Sequence, residues 1–135
     1  MAHHAQIAEV SLDDRERIRV NRIVFVLDCG IAVNPDLIRA QVEGGILFGL
    51  SAAAWGEVVL SEGGDIVTQN FDRYPIERMQ SVPEIEVHLI DSDEPPTGVG
   101  EVSVPTTAPA LANAIAALTG NRIRRLPLNK SIRVY

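Results

Sequence analysis

Residues 34–50 read NPDLIRAQVEGGILFGL, and this stretch predicts the helix around which the rest of the chain is organised. Asn34 is a suitable N-cap, and Pro35 suits the first helical position, where its missing N–H leaves no hydrogen bond unmade. Apolar residues then recur at every fourth position: Ile38, Val42, Ile46 and Leu50. This spacing predicts an amphipathic helix with one face packed on a sheet.

Two adjacent glycines, Gly44 and Gly45, interrupt the helical pattern. In a helix interior each costs about 1 kcal/mol relative to alanine. A pair of glycines at this place is therefore expected to have a packing or functional reason. We expect another group to approach the helix backbone closely at this point.

The residues before the helix predict an antiparallel β-hairpin. Residues 6–12 alternate in part between polar and apolar, residues 13–16 form a polar turn, and residues 18–27 are rich in β-branched side chains. These are the features of two strands joined by a turn. One strand should therefore begin almost at the first methionine.

The residues after the helix predict short strands and a second helix. Residues 57–60 and 65–68 flank a glycine turn, residues 85–90 alternate as a half-buried strand does, and residues 132–135 suit a last strand. The second helix should run from about Thr106 or Pro109 through Leu118, with Gly120 as its left-handed cap. The arginines that follow are interpreted as favourable charges beyond a helix C-terminus: Arg122, Arg124 and Arg125.

These elements predict an α+β fold, with a small, mostly antiparallel sheet and two main helices. A hydrophobic content of 46% over 135 residues is enough for one core, so residues 1–135 are expected to form a single domain. The Gly and Pro residues fall between the predicted elements and mark their ends.

Composition restricts the partners that this chain can have. Eighteen acidic and twelve basic residues give a formal charge of −6, which argues against nucleic acid and anionic membrane surfaces. The N-terminal residues show neither a basic start nor a long apolar run, so no signal peptide or membrane span is expected. Cys29 is the single cysteine and is interpreted as a buried residue in a reducing compartment, the cytoplasm. His3 and His4 are interpreted as a frayed terminus rather than as metal ligands.

The segment PPTGVGE, residues 95–101, is the best candidate for a site of chemistry. Gly98 and Gly100 would let the backbone turn tightly and approach a ligand without a Cβ in the way. The helix that follows would place its positive end near the carboxylate of Glu101. Taken alone, the motif also fits a glycine-rich turn beside a solvated acid.

Four segments together resemble a known family: residues 41–45 (QVEGG), 70–75 (NFDRYP), 82–87 (VPEIEV) and 95–101 (PPTGVGE). They resemble the C-terminal part of the molybdenum-binding subunit of the xanthine dehydrogenase and aldehyde oxidase family. The beta subunit of isoquinoline 1-oxidoreductase is the most similar type. The resemblance runs from about Ala5 to Tyr135, and it corresponds to only a small part of that much longer subunit.

The resemblance implies roles for individual residues. Glu101 matches the catalytic base of an oxidoreductase that hydroxylates heteroaromatic rings or aldehydes. Gln41 matches a glutamine that hydrogen-bonds the molybdopterin cofactor, and Gly98 and Gly100 belong to the cofactor-binding turn. No residue of this chain is implied as a metal ligand. The chain departs from the family at Val102, where proline is common.

Two hypotheses follow about how such a chain acts. In the first, it is one piece of a molybdenum hydroxylase and holds molybdopterin only when assembled with upstream molybdenum-subunit domains, or an iron–sulfur subunit, on other chains. The isolated chain would then carry no cofactor. In the second, it is a non-catalytic remnant or truncated domain that acts as a homo-oligomer or protein-binding module, because surface that once faced neighbouring domains needs covering.

Overall fold

The predicted β-hairpin forms the larger part of the sheet. In the computed structural model, which describes residues 2–134, strands β1 (His3–Leu12) and β2 (Ile18–Asp28) pair antiparallel. Glu9 pairs with Arg22 but Val10 pairs with Val20, so β2 carries one extra residue in a β-bulge. The bulge keeps the apolar residues on both sides of it directed to the same face of the sheet.

Strand β3 (Glu84–Leu89) completes a three-stranded sheet in the order β1-β2-β3. It confirms the strand predicted at residues 85–90, and it runs parallel to β2. The antiparallel ladder has ten residue pairs and the parallel ladder six, so the predicted α+β fold with a mostly antiparallel sheet is confirmed. The parallel direction is possible because a long connection that includes a helix joins β2 to β3.

Both predicted long helices are present. Helix α1 (Pro35–Ala54) begins after Asn34, whose side chain accepts a hydrogen bond from the Leu37 N–H at 3.0 Å. A single turn, α2 (Asn70–Arg73), lies in the long connection, and α3 (Val104–Thr119) is the second long helix. Helix α3 begins slightly earlier than predicted, and Gly120 ends it with φ +77° as predicted.

The core lies between the sheet and the two long helices. Its fully buried side chains come from β2, from both helices and from the 3₁₀ turn Leu128–Lys130 near the end of the chain. The apolar side chains with no exposed area are Ile18, Ile23, Phe25, Leu27, Val42, Ile46, Ala53, Leu111, Ile115 and Leu128. Cys29 is also buried, as predicted.

Three predictions of local structure need revision. The hairpin predicted at residues 57–68 is reduced to a single bridge between Leu60 and Ile66. The last strand is reduced to a bridge between Ile18 and Val134, and Tyr135 lies outside the described residues. The fraying predicted for His3 and His4 is wrong, because both lie in β1 and the His4 ring stacks on Phe25 with centroids 5.3 Å apart.

Within residues 2–134, none of the helices combines the length and the apolar character needed to cross a lipid bilayer.

Candidate functional site

The glycine-rich turn before α3 is held at both of its ends. At the first end, the Thr97 N–H donates to the Cys29 carbonyl at 2.9 Å. At the second end, the Ser103 hydroxyl donates to the Val42 carbonyl of α1 at 2.9 Å, and Ser103 is only 1% exposed. Residues 98–102, which include Glu101, therefore cross between two fixed points beside the N-terminal half of α1.

Gly30 makes the first of these attachments possible. It has φ +74°, and a Cβ at this position would lie 2.6 Å from the Glu94 carbonyl oxygen. The Ile31 N–H next to it donates to that same carbonyl at 2.9 Å. Sequence reasoning did not identify Gly30, and the only local signal was a glycine two residues after the end of a strand.

Two of the predicted site residues line one groove. Gln41 from α1 and Gly100 from the turn face a volume of about 430 Å³, together with apolar side chains that include Ile31 and Leu37. Among residues 2–134, the residues that line this groove do not include Gly98 or Glu101. Both are exposed in the same short turn, so the structure brings the four predicted residues to one region but only two of them into the groove.

Gly98 and Gly100 lie in ordinary backbone conformations. Neither has a positive φ, so their backbone conformation does not require glycine. A Cβ on either residue would meet no atom within 4 Å. The turn is therefore open on this side, and space is available there for a group from outside the chain.

The side chains of Gln41 and Glu101 are exposed and available for ligands. Within the described residues, neither side chain takes part in a hydrogen bond or ion pair. The amide of Gln41 can both donate and accept, whereas an ionised Glu101 can only accept. The groove lining contains no Lys or Arg among residues 2–134, so an anionic part of a ligand would need its counter-charge from elsewhere.

The two helix glycines have different surroundings. A Cβ on Gly45 would overlap the Ser103 hydroxyl oxygen, whereas a Cβ on Gly44 would meet nothing within 4 Å. The predicted close approach is thus confirmed at Gly45 and is absent at Gly44. Gly49, one turn further along α1, is in similarly close contact, since a Cβ there would lie 2.8 Å from the Thr107 Cβ.

A second groove, of about 460 Å³, lies beside the C-terminal half of α1 and contains a half-buried acid, Glu77. Its lining is mainly apolar and includes Phe48 and Met79. The Glu77 N–H donates to the Ser51 hydroxyl at 2.8 Å, and its carboxylate accepts from the Ser81 hydroxyl. Burial raises the pKa of this carboxyl above its usual value of 4.5.

The raised pKa predicts how stability changes with pH. A group whose pKa is higher in the folded than in the unfolded protein stabilises the fold fully below its unfolded value, and this contribution is lost as pH rises through the folded value. Glu77→Gln keeps the size and the acceptor oxygen but cannot ionise. The free energy of unfolding, measured with urea from pH 4 to 8, should therefore fall less with rising pH in this variant than in the parent. Equal slopes would contradict the prediction.

The three arginines after α3 form part of a third groove, of about 340 Å³, beside that helix. Arg122 extends back along α3 and donates to the Asn113 side chain at 3.4 Å. Arg122 therefore lies beside the helix, whereas the sequence interpretation placed these charges just beyond its C-terminal end. The groove lining includes Arg124 and Arg125 as well.

Comparison with known proteins gives matches over most of this chain. The family described as molybdopterin cofactor-binding domain matches residues 1–83, a segment that includes Gln41 but not Glu101. The beta subunit of isoquinoline 1-oxidoreductase from Brevundimonas diminuta is 37% identical over 132 residues, which are 97% of this chain and 17% of that protein. One of the subunits of nicotinate dehydrogenase from Pseudomonas putida is 34% identical over 126 residues, 92% of this chain and 10% of that protein.

A solved structure shows the same fold. Quinoline 2-oxidoreductase from Pseudomonas putida 86 superposes with a TM-score of 0.81 at 27% identity, over 93% of this chain and 17% of the larger one. The chain thus spans less than a fifth of the length of each of these proteins. The resemblance to the molybdenum-binding subunits of the xanthine dehydrogenase and aldehyde oxidase family is confirmed. The chain belongs to the molybdopterin cofactor-binding domain family.

Proposed function

We propose that this chain supplies the catalytic base and one cofactor contact of a molybdenum hydroxylase, an oxidoreductase that hydroxylates heteroaromatic rings or aldehydes. The observation that carries the proposal is the meeting of Gln41 and the Glu101 turn at one open groove. The names of the relatives support the class of reaction, since they include isoquinoline, nicotinate and aldehyde oxidoreductases. A position at the C-terminal end of the larger subunit stays a prediction.

The residues at the groove suit one edge of a polar cofactor such as molybdopterin. Gln41 would hydrogen-bond it through both atoms of the amide, and the open side of Gly98 and Gly100 would allow close approach to the backbone. The cofactor would supply oxygen transfer and accept the electrons. Glu101 would accept the proton released in that reaction, the role of a general base.

The same residues support the proposal that other polypeptide is needed. The groove is open and carries no cation among the described residues, so this chain alone cannot enclose or neutralise a large anionic cofactor. Enclosed pockets bury most of the surface of their ligands. The proposed partners are upstream domains of a molybdenum subunit, or an iron–sulfur subunit, on separate chains. The isolated chain is expected to carry no cofactor.

Native mass spectrometry with molybdenum analysis tests this proposal on the protein isolated gently from its own cells. A heteromeric complex with molybdenum in fixed proportion to this chain is the expected result. A chain that never co-purifies with another protein or with molybdenum would overturn the proposal.

The alternative is a non-catalytic domain that associates with itself or another protein. Large exposed apolar side chains favour it: Val33 is 81% exposed, Phe48 69% and Met79 88%. Such residues on a soluble protein often mark an interface when they form a patch. A metal-free homo-oligomer in the same mass spectra would support this alternative.

A further inference from the structure

One of the two proposed functional residues lies on α1 and the other in the turn that leads into α3, and one contact fixes the start of α3 against α1. Gln41 lies one helical turn before Gly45 on α1, and Glu101 lies two residues before Ser103 at the start of α3. Ser103 and Gly45 are both buried and face each other across the two helices. We propose that Gly45 and Ser103 are positioning residues that set the distance between Gln41 and Glu101. The importance of this distance for catalysis rests on the proposed function, whereas the contact that sets the distance does not.

The contact combines close packing with a specific hydrogen bond. The missing Cβ of Gly45 leaves the space that the Ser103 hydroxyl occupies, and that hydroxyl donates to the Val42 carbonyl at 2.9 Å. Small residues let helix backbones approach closely, so any added atom must separate them. A buried hydroxyl without its acceptor would cost about 1–3 kcal/mol, which keeps Ser103 in place.

A second layer of polar contacts holds the start of α3 from the other side. Thr107 is fully buried, packs against Gly49 and donates to the Ser103 carbonyl at 2.8 Å. Gln6 of β1 donates to the Thr107 hydroxyl at 3.0 Å and accepts from Thr106 at 2.6 Å. The start of α3 is thus attached to both α1 and the sheet. Because Thr97 holds the other end of the turn, Glu101 has little freedom to move independently of Ser103.

A distance measurement in the folded chain tests the inference without cofactor or activity. A nitroxide is attached at Glu101→Cys, with the native thiol removed by Cys29→Ala, and paramagnetic broadening of the Gln41 side-chain amide is recorded by NMR. Gly45→Ala should change this broadening, because the new methyl group displaces Ser103. Gly44→Ala is the matched control on the same helix and should leave it unchanged, because its methyl group meets nothing.

Removing the opposing hydroxyl should relieve the overlap. In Gly45→Ala/Ser103→Ala the overlapping oxygen is absent, so the broadening should move from that of Gly45→Ala toward that of Ser103→Ala. If Gly45→Ala does not fold, Ser103→Ala alone should still alter the broadening through loss of the Val42 hydrogen bond. Unchanged broadening in every one of these single variants that folds would overturn the inference. Altered broadening in a chain that never assembles with molybdenum would leave the inference intact and reject the proposed function.

Discussion

Glu101→Gln should reduce turnover of the assembled molybdenum complex by about 10²- to 10⁴-fold, the usual contribution of a general base. Glutamine has nearly the same shape as glutamate but cannot accept a proton at neutral pH. Steady-state kinetics with a heteroaromatic or aldehyde substrate measures the loss. It should be a loss of kcat, because the base acts in the chemical step and does not bind the substrate.

Assembly of the complex should be unaffected by this substitution. Glu101 is exposed, and within residues 2–134 its side chain supports no hydrogen bond or ion pair. Molybdenum content and subunit composition by native mass spectrometry should therefore match those of the parent complex. Glu43→Gln provides a control, since Glu43 is an exposed acid on α1 close in sequence to Gln41 and its loss changes the net charge equally. Normal turnover in the Glu101 variant would remove that residue from the mechanism.

The predictions that succeeded depend on residues close together in the sequence. The start of α1 follows from Asn34 and Pro35, its buried face from apolar residues at every fourth position, and the end of α3 from Gly120. Each of these features is decided within one or two helical turns. Spacing and capping therefore predicted both long helices, whereas alternation and β-branched composition around a polar turn predicted the hairpin of β1 and β2.

The features that sequence reasoning missed depend on distant contacts. Ser103 bonds to a carbonyl 61 positions away, and nothing in its neighbours indicates that partner. At Gly45 the sequence indicated that some group approaches the helix closely, but it did not indicate that this group is Ser103. The parallel direction of β3 is set by the path of a long connection rather than by the strand itself. The site residues themselves came from the family resemblance, because a short glycine-rich turn with an acid is a weak signal.

Gly30→Ala should destabilise the chain by more than about 3 kcal/mol, which is at the severe end for a single substitution. A left-handed conformation costs a non-glycine residue about 1–2 kcal/mol. The new methyl group would also lie within 2.8 Å of the Pro95 carbonyl carbon and 2.6 Å of the Glu94 oxygen, so the two chain segments must separate. That separation would weaken the hydrogen bonds from Ile31 to Glu94 and from Thr97 to Cys29, each contributing about 1 kcal/mol.

Gly120→Ala separates the cost of the left-handed backbone from the cost of the steric contact. Gly120 has φ +77°, nearly the same as the +74° of Gly30, but a Cβ there would meet no atom within 4 Å. It should therefore show the backbone cost alone, about 1–2 kcal/mol. Urea unfolding followed by the fluorescence of Trp55, the single tryptophan, gives both free energies. Equal losses in the two variants would mean that the contact with residues 94–95 contributes little. A larger loss at Gly30 would show that the contact between Gly30 and residues 94–95 helps to hold the first end of the Glu101 turn. Thr97, at that end of the turn, is hydrogen-bonded to Cys29, the residue before Gly30.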